Sequence, residues 1–308
     1  MTFLLSTLSL DDTPVLQPLV PLLEAIPFFV YALLILVLGK VFYERTSHFS
    51  FLDELTERDN PAFGACLAGY LLGIALALTG AFPTGPVSNL IALRDMTTGG
   101  VLALLLMRAS IWINDQLILS HFSIDVEMLR DRNLGTGAAV AGSCVGTGLV
   151  LAGALTGNSA DWLHSVRDVA VYWAVGQALF IGGAWAFYHT AGYDVQETME
   201  HDNNAAAGIS LGGFLASLGV LLWALLQNAS SDLLVELTAI LVTAVIGISL
   251  LLLSSIVTRK LLLPHINLPK EITLDKNTAA GIICATASLA TALLLAASFL
   301  SRYNSLPL

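Results

Sequence analysis

The sequence predicts an all-α fold, a polytopic membrane bundle of eight transmembrane helices arranged as four parallel two-helix repeats. Of the 308 residues, 56% are hydrophobic and only 12% are charged, whereas soluble proteins carry about 25% charged residues. Long uncharged stretches match the roughly 20 residues that a helix needs to cross a bilayer. A short polar motif recurs before every second stretch.

Eight apolar stretches are long enough to be membrane helices. Their predicted spans are Leu22 to Leu38, Ala62 to Phe82, Thr98 to Leu119, Gly135 to Thr156, Val169 to Phe187, Ala205 to Leu226, Leu234 to Ile256 and Ala279 to Leu300. We therefore divide the chain into an N-terminal lead-in (1–21) and four repeats (22–85, 86–157, 158–228 and 229–308) that form one membrane domain.

The recurring motif is a glutamate, five residues and an asparagine. Its copies run from Glu54 to Asn60, Glu127 to Asn133, Glu197 to Asn203 and Glu271 to Asn277, with nearby aspartates at Asp59, Asp131, Asp202 and Asp275. In the third copy we favour Asn204 as the equivalent asparagine, because that register aligns the glycines that follow. Regular spacing in step with the helices indicates an internal repeat rather than chance.

Two interpretations of the motif stay open. Asparagine is among the best residues for capping a helix start, where four backbone N–H groups lack partners. Acidic residues just before the helix complement its dipole. The motif is therefore explained as a helix cap, and the alternative is a loop that binds a ligand or ion.

The distribution of basic residues predicts the orientation of the bundle. Nine Lys and Arg residues lie on the motif side and three on the opposite side. By the positive-inside rule, the motif loops are cytoplasmic and both termini lie outside.

The even-numbered helices are predicted to form the core of the bundle, because small residues allow membrane helices to approach closely. Glycines four residues apart mark three of these helices: Gly69 and Gly73, Gly142 and Gly146, Gly208 and Gly212. The first and seventh helices are rich in bulky residues, which indicates that they face lipid.

The segments Asp275-Lys-Asn-Thr-Ala-Ala-Gly-Ile282 and Asp202-Asn-Asn-Ala-Ala-Ala-Gly-Ile209 resemble the YjfL-like bacterial inner-membrane proteins, also called domain of unknown function 350. Members of that family typically carry two two-helix units, so this chain resembles a doubled version. The resemblance implies a multi-pass protein of the bacterial inner membrane, and it implies no catalytic residue.

Arg108 is the sharpest candidate for an intramembrane polar site, because a charge near mid-helix costs about 2.5–3.5 kcal/mol on insertion scales. We expect it to point into the bundle and to pair with Asp115, Asn114, Gln177 or a polar group of a neighbouring helix. It is either a structural clamp or part of a path for ions or a small solute.

Other chemistries find no support in the sequence. The net charge of −10 argues against a nucleic-acid partner. No phosphate-binding loop, nucleophile elbow or metal-ligand spacing is present, so we expect no enzyme, no cofactor and no metal. The acidic residues around His201 are interpreted as a solvated loop.

Two classes of function remain. A membrane scaffold or envelope-associated component needs only a stable bundle in the lipid bilayer and a cytoplasmic face that presents the motif loops to a protein partner, and we favour this class. The alternative is a channel or transporter for an ion or small solute through the bundle. Substrate, partner and oligomeric state are not encoded in any pattern that we can identify.

Overall fold

A computed structural model describes residues 19–83, 88–156, 162–227, 233–257 and 264–303. All regular secondary structure in these ranges is helical. In chain order the α-helices are α1 (Leu19–Thr46), α2 (Pro61–Ala81), α3 (Asn89–Ile113), α4 (Leu134–Leu155), α5 (Trp162–Ala191), α6 (Val195–Asp202), α7 (Ala205–Leu226), α8 (Leu233–Val257), α9 (Leu268–Thr273) and α10 (Thr278–Tyr303). Eight of these ten described helices are long and apolar enough to cross a membrane.

The predicted fold class, an all-α bundle of eight membrane-spanning helices, is therefore confirmed. Most of the predicted lead-in lies outside the described residues.

Three of the long helices extend well beyond their predicted spans. Helix α1 continues to Thr46 instead of ending at Leu38, and α3 begins at Asn89 instead of Thr98. Helix α5 has 30 residues, which at 1.5 Å per residue is about 45 Å, longer than the roughly 30 Å hydrocarbon layer. The charged residues at which the predicted spans ended lie inside these longer helices. They form ion pairs within the same helix: Lys40 with Glu44, Arg94 with Asp95 and Arg167 with Asp168.

The helices that follow the motifs form a single row in the order α2, α4, α7, α10. Neighbours in this row run parallel, because each is reached from the same end of the bundle. Their contact faces are made of small residues, so backbone meets backbone. A methyl group at Gly69 would overlap Ala141, one at Gly142 would overlap the carbonyl of Gly212, and one at Gly281 would overlap Ala206. Lipid supplies no hydrophobic drive between helices, so this close approach provides the dispersion energy that holds the row together.

The other long helices form a second row on one face of the first. Helix α3 packs against both α2 and α4, α5 against α4 and α7, and α8 against α7 and α10, so each fills the groove between two neighbours. Helix α1 packs mainly against α2 and α3. Leu33 and Leu34 of α1 and Leu253 of α8 are exposed, as expected for the lipid-facing helices predicted from their bulky residues.

All four motif loops gather at one end of the bundle, which we call the motif end. Each loop contains a short turn of helix before the core helix begins. In repeats 1 and 2 it is a π-helical turn, Asp53–Glu57 and Val126–Arg130. In repeats 3 and 4 it is α6 and α9. A third π-helical turn, Asn114–Ile118, ends α3 at the same end.

The core row predicts a sharp contrast between two glycines. Replacing Gly142 with Leu forces α4 and α7 apart, so we expect a loss of about 3 kcal/mol or more of stability. Replacing Gly182 with Leu should change stability little, since Gly182 is exposed on α5 and a methyl group there meets nothing within 4 Å among the described residues. The measurement is the melting midpoint of each variant in detergent. Equal midpoints for the two variants would contradict the backbone packing described above.

Candidate functional site

The motif asparagines begin the four helices of the core row. The Asn60 side-chain oxygen accepts hydrogen bonds from the backbone N–H groups of Ala62 and Phe63, at 3.0 and 3.2 Å. The oxygens of Asn133, Asn204 and Asn277 do the same for their own helices. Each asparagine therefore satisfies donors that would otherwise lack partners at a helix start. In the third repeat the capping residue is Asn204, not Asn203.

The amide nitrogen of the same side chain reaches into the next repeat. Asn60 donates to the carbonyl of Met128 at 2.9 Å, Asn133 to Met199 at 2.6 Å, and Asn204 to Ile272 at 2.6 Å. Each acceptor lies five residues before the next motif asparagine. These three asparagines are buried, so leaving any of these groups unpaired would be costly. The motif thus caps its own helix and ties its loop to the following one.

A backbone feature of the motif repeats with it. The residue immediately before each capping asparagine has a left-handed backbone conformation, with φ between 44° and 50°: Asp59, Arg132, Asn203 and Lys276. Few non-glycine residues adopt this conformation. It turns the chain sharply, so that the asparagine enters the helix start while the preceding short helix stays alongside. Residue types at this position vary, which is why the motif did not reveal it.

Three motif glutamates accept hydrogen bonds from the asparagine of their own loop. Glu54 accepts from the amide of Asn60 at 2.7 Å, Glu127 from Asn133 at 2.8 Å, and Glu271 from Asn277 at 2.8 Å. Glu54 also pairs with Arg58. Burial raises the pKa of Glu127, the hydrogen bond from Asn133 opposes this rise, and the nearby charges of Asp131 and Glu200 reinforce it. These carboxylates are occupied as internal acceptors of the loops.

The third repeat departs from this arrangement. Glu197 is exposed and lies on α6, where its backbone N–H donates to Asp194. The buried position six residues before Asn204 is held by Thr198. In the register that aligns Asn204 with the other motif asparagines, Glu197 is displaced by one residue, and it does not occupy the place of the other motif glutamates. The one-residue shift of the asparagine, combined with an α-helical rather than π-helical lead, turns Glu197 to the surface.

The motif aspartates lie at the surface of the loops and serve local contacts. Asp131 pairs with Arg130, and Asp202 pairs with Lys276 of the fourth repeat at 3.2 Å. Asp59 and Asp275 are exposed. His201 lies 3.8 Å from Glu200, and no group of three or more potential metal ligands occurs among the described residues.

Arg108 points toward α1 and is half-buried. Its guanidinium donates to the hydroxyl of Thr46 at 3.0 Å and to the carbonyl of the same residue at 3.1 Å. It also lies over the ring of Tyr43, 5.5 Å from the ring centre. Thr46 is the last residue of α1, where carbonyls lack helical partners and the dipole favours a cation. Arg108 therefore caps the end of α1 from a neighbouring helix.

The predicted mid-span position of Arg108 requires correction. Because α3 begins at Asn89, Arg108 lies in the last third of the helix, toward the motif end, and not at mid-span. Its partner Thr46 is a polar group of a neighbouring helix, which is the last of the predicted alternatives, and Asp115, Asn114 and Gln177 are not its partners. Asp115 lies seven residues after Arg108, which on a continuous α-helix would place it on the same face, but the chain changes to a π-helical turn at Asn114 and the Asp115 carboxylate accepts from Ile124 instead.

The other three predicted polar residues bind elsewhere. Asp115 accepts from the backbone N–H of Ile124 at 2.8 Å in the second motif loop. Asn114 donates to the Ser143 hydroxyl of α4 at 2.7 Å. Gln177 is buried and donates to Thr147 of α4 at 3.2 Å, while its carbonyl oxygen has no hydrogen-bond partner among the described residues. The structure does not bring these four residues together into one site.

Arg108 lines neither of two cavities that lie among the described residues. The larger, about 550 Å³ and partly open, lies near the motif end between α5, α7, α9 and α10, with Phe187, Ser210 and Ser288 in its wall. The smaller, about 200 Å³, is apolar and lies between α4, α5, α7 and α8. These cavities do not join the motif loops to Arg108.

We expect Asn133→Ala to lower stability more than the loss of a helix cap alone. Such a loss costs about 1 kcal/mol, and here Glu127 and the Met199 carbonyl also lose a buried donor, at about 1–3 kcal/mol each. Asn267→Ala is the matched control, because Asn267 is exposed and caps only the short helix α9. Equal midpoint shifts for the two variants in thermal unfolding would contradict the inter-repeat bond.

Arg108→Gln should lower stability by about 2 kcal/mol, since it removes a charged hydrogen bond and the cation at the end of α1. Arg94→Gln is the control, because Arg94 is half exposed and, among the described residues, its ion pair is with its neighbour Asp95. Both variants are compared with the wild type by thermal unfolding in detergent. A midpoint for Arg108→Gln equal to that of the control would show that the contact with Thr46 is not stabilising.

Comparison with known proteins agrees with the repeated architecture. No curated protein and no solved structure matches the chain. One family model, described as Domain of Unknown Function (DUF350), matches twice, over residues 16–155 and 161–299. Each match contains two motif loops and two core helices. The chain therefore belongs to the DUF350 family and contains two copies of its domain in tandem.

Proposed function

We propose that this protein is a membrane scaffold of the bacterial inner membrane that presents its motif loops to a protein partner in the cytoplasm. The observation that carries the proposal is the bonding of each motif loop to the next through a buried asparagine. Together with backbone contact along the core row, these bonds fix four loops in one rigid surface. Rigidity reduces the entropy that a binding surface loses when a partner docks.

The orientation is part of the proposal and rests on charge. Most of the basic residues lie at the motif end, which by the positive-inside rule is the cytoplasmic side. Of the nine residues counted in the sequence, Arg259 and Lys260 fall outside the described part of the chain. Both ends of the described chain then lie toward the periplasm, because α1 begins and α10 ends at the end opposite the motifs.

The charge of the proposed surface indicates the kind of partner. Several basic side chains there are already paired, as Arg58 is with Glu54, Arg130 with Asp131 and Lys276 with Asp202. Exposed carboxylates without a described ion pair remain at Asp53, Glu57, Asp59, Asp125 and Glu197. An acidic surface steers and orients a basic segment of a partner protein.

A transport function is the second candidate, and one observation favours it. Gln177 and Thr136 each bury an oxygen atom that has no hydrogen-bond partner among the described residues. Buried polar atoms normally find partners, and polar groups inside a membrane bundle often mark a solute path. Against this, the backbone contacts between α2, α4, α7 and α10 leave no gap for a solute within the core row.

The two functions are separated by flux and contact measurements. We expect liposomes containing the protein to be no more permeable to K⁺, protons or small neutral solutes than protein-free liposomes. A photo-crosslinking residue at Glu57 should capture a cytoplasmic protein in cells, and one at Leu90, at the opposite end, should not.

Neutralising Asp53, Asp59 and Asp125 to asparagine is expected to abolish capture from position 57 while membrane levels stay constant. If the protein does conduct a solute, and Gln177→Leu lowers the flux per folded molecule, transport would replace the scaffold proposal. If crosslinking from position 57 survives neutralisation of the three aspartates, the acidic surface is not what binds the partner.

A further inference from the structure

The core row uses one register at every internal interface. Counted from the capping asparagine, the fourth, eighth and eleventh residues of a core helix face the preceding core helix. The second, ninth and thirteenth residues face the following one. Thus Gly69 meets Ala141, Gly142 meets Gly212, and Gly213 meets Ala285, always the ninth position against the eighth. Because the register is repeated, the first and last helices of the row carry the same faces without a neighbour.

The outward face of α10 is similar to an internal interface in its small residues, but its ninth position is threonine where α2, α4 and α7 have glycine, so a helix packed there would stand slightly farther away. Its second, ninth, thirteenth and twentieth positions are Ala279, Thr286, Ala290 and Ala297, all small and all exposed. On α2, α4 and α7 the second and ninth positions are buried or tightly packed against the next helix. On α10 the described residues supply no next helix.

The outward face of α2 complements it. The fourth position is Gly64, where a methyl group meets nothing within 4 Å among the described residues, whereas methyl groups at the equivalent Gly137, Gly208 and Gly281 would overlap a neighbouring backbone. The eighth position is Ala68, which is exposed. Small residues here have no packing partner in the described part of the chain.

The hydrogen-bond ladder of the motif end is open at the same two edges. The amide of Asn277 donates one hydrogen to Glu271, and among the described residues its second hydrogen has no acceptor, although the other three asparagines use theirs on the next loop. At the first edge, the carbonyl of Leu55 occupies the position equivalent to Met128, Met199 and Ile272. No described repeat precedes it to supply an asparagine.

Helix α1 indicates the same incompleteness. Helices α3, α5 and α8 each fill a groove between two core helices, but α1 has only α2 as its main core-row contact. A core helix placed against the free face of α2 would turn the flank of α1 into such a groove. The tandem family domains give a precedent within the chain, since α4 of the first and α7 of the second join by this interface.

We propose that copies of this chain associate head to tail in the membrane, with α10 of one copy packed on α2 of the next and Asn277 donating to Leu55 of that next copy. The interface is heterologous and parallel, so it generates either a closed ring or an open row. The occupant of both free faces is a second copy, because the interface continues a register and a hydrogen-bond ladder that the chain already uses three times. The proposal does not depend on the scaffold function.

Disulfide trapping in native membranes tests the register. The eighth and ninth positions are in close backbone contact at each internal interface. Ala68→Cys and Thr286→Cys should therefore be near enough to form a disulfide once the helices separate to its roughly 3.5–4.5 Å Cβ distance. In a Cys284→Ser background, with Cys66 and Cys144 buried, the double variant should form a ladder of cross-linked multimers on oxidation. Differently tagged single variants expressed together should give a heterodimer, and either single variant alone should give none.

Matched alanine-to-leucine changes separate association from folding. Ala68→Leu and Ala290→Leu place bulk on exposed free faces, so they should leave the melting midpoint unchanged while lowering the oligomeric fraction in nanodiscs or detergent by about tenfold or more. Ala178→Leu, on the exposed face of α5, should leave that fraction unchanged. The proposal would be overturned if the protein were a monomer by mass in mild detergent and gave no trapping in membranes. It would also be overturned if the pair Ala178→Cys and Thr286→Cys formed disulfides as readily as the pair Ala68→Cys and Thr286→Cys.

Discussion

The close approach of parallel helix backbones is the constraint on which the rest of this structure depends. Lipid tails are as apolar as leucine, so the hydrophobic effect does not join helices inside a membrane. Glycine and alanine at the contacts of α2, α4, α7 and α10 let backbone atoms meet, and dispersion then holds the row. Once the row exists, the grooves between its members determine where α3, α5 and α8 lie.

The motif end turns that row into one connected body. Asn60, Asn133 and Asn204 each use the side-chain oxygen for their own helix and the nitrogen for the next loop, so helix start and loop position are set by the same side chain. The bonds all run in one direction along the chain. Because every bond runs from one repeat to the next, the last repeat has a donor and the first repeat an acceptor without a partner among the described residues. The row is therefore open at both edges.

The two family domains are related by a shift of 144 residues, from Asn60 to Asn204 and from Asn133 to Asn277. They differ most clearly where Arg108 lies. By the same shift its counterpart in α8 is Leu252, and Tyr43 corresponds to Phe187. Leu252 carries no guanidinium, so the second domain does not repeat the hydrogen bonds that Arg108 donates to Thr46. Near Phe187, the second domain has a partly open cavity of about 550 Å³.

The sequence alone determined the features that depend on local composition. Eight helices follow from uncharged length, four repeats from the spacing of the motif, and the core row from glycine four residues apart. The capping role of Asn60, Asn133, Asn204 and Asn277 also follows, because it is satisfied within three residues of the side chain. The lengths of α1, α3 and α5 did not follow, because paired charges extend a helix past its apolar part.

Only the tertiary structure decided which groups meet across repeats. The carbonyl that Asn60, Asn133 or Asn204 reaches lies more than 60 residues away, so no local pattern encodes it. The partner of Arg108 depends on where α1 ends, and Asp115 is turned aside by a π-helical turn that has no sequence signature we can identify. Thr198 replaces Glu197 inside the third loop because a shift of one residue on a short helix rotates a side chain by about 100°. Such outcomes depend on how neighbouring elements pack, and packing is fixed by the whole row at once.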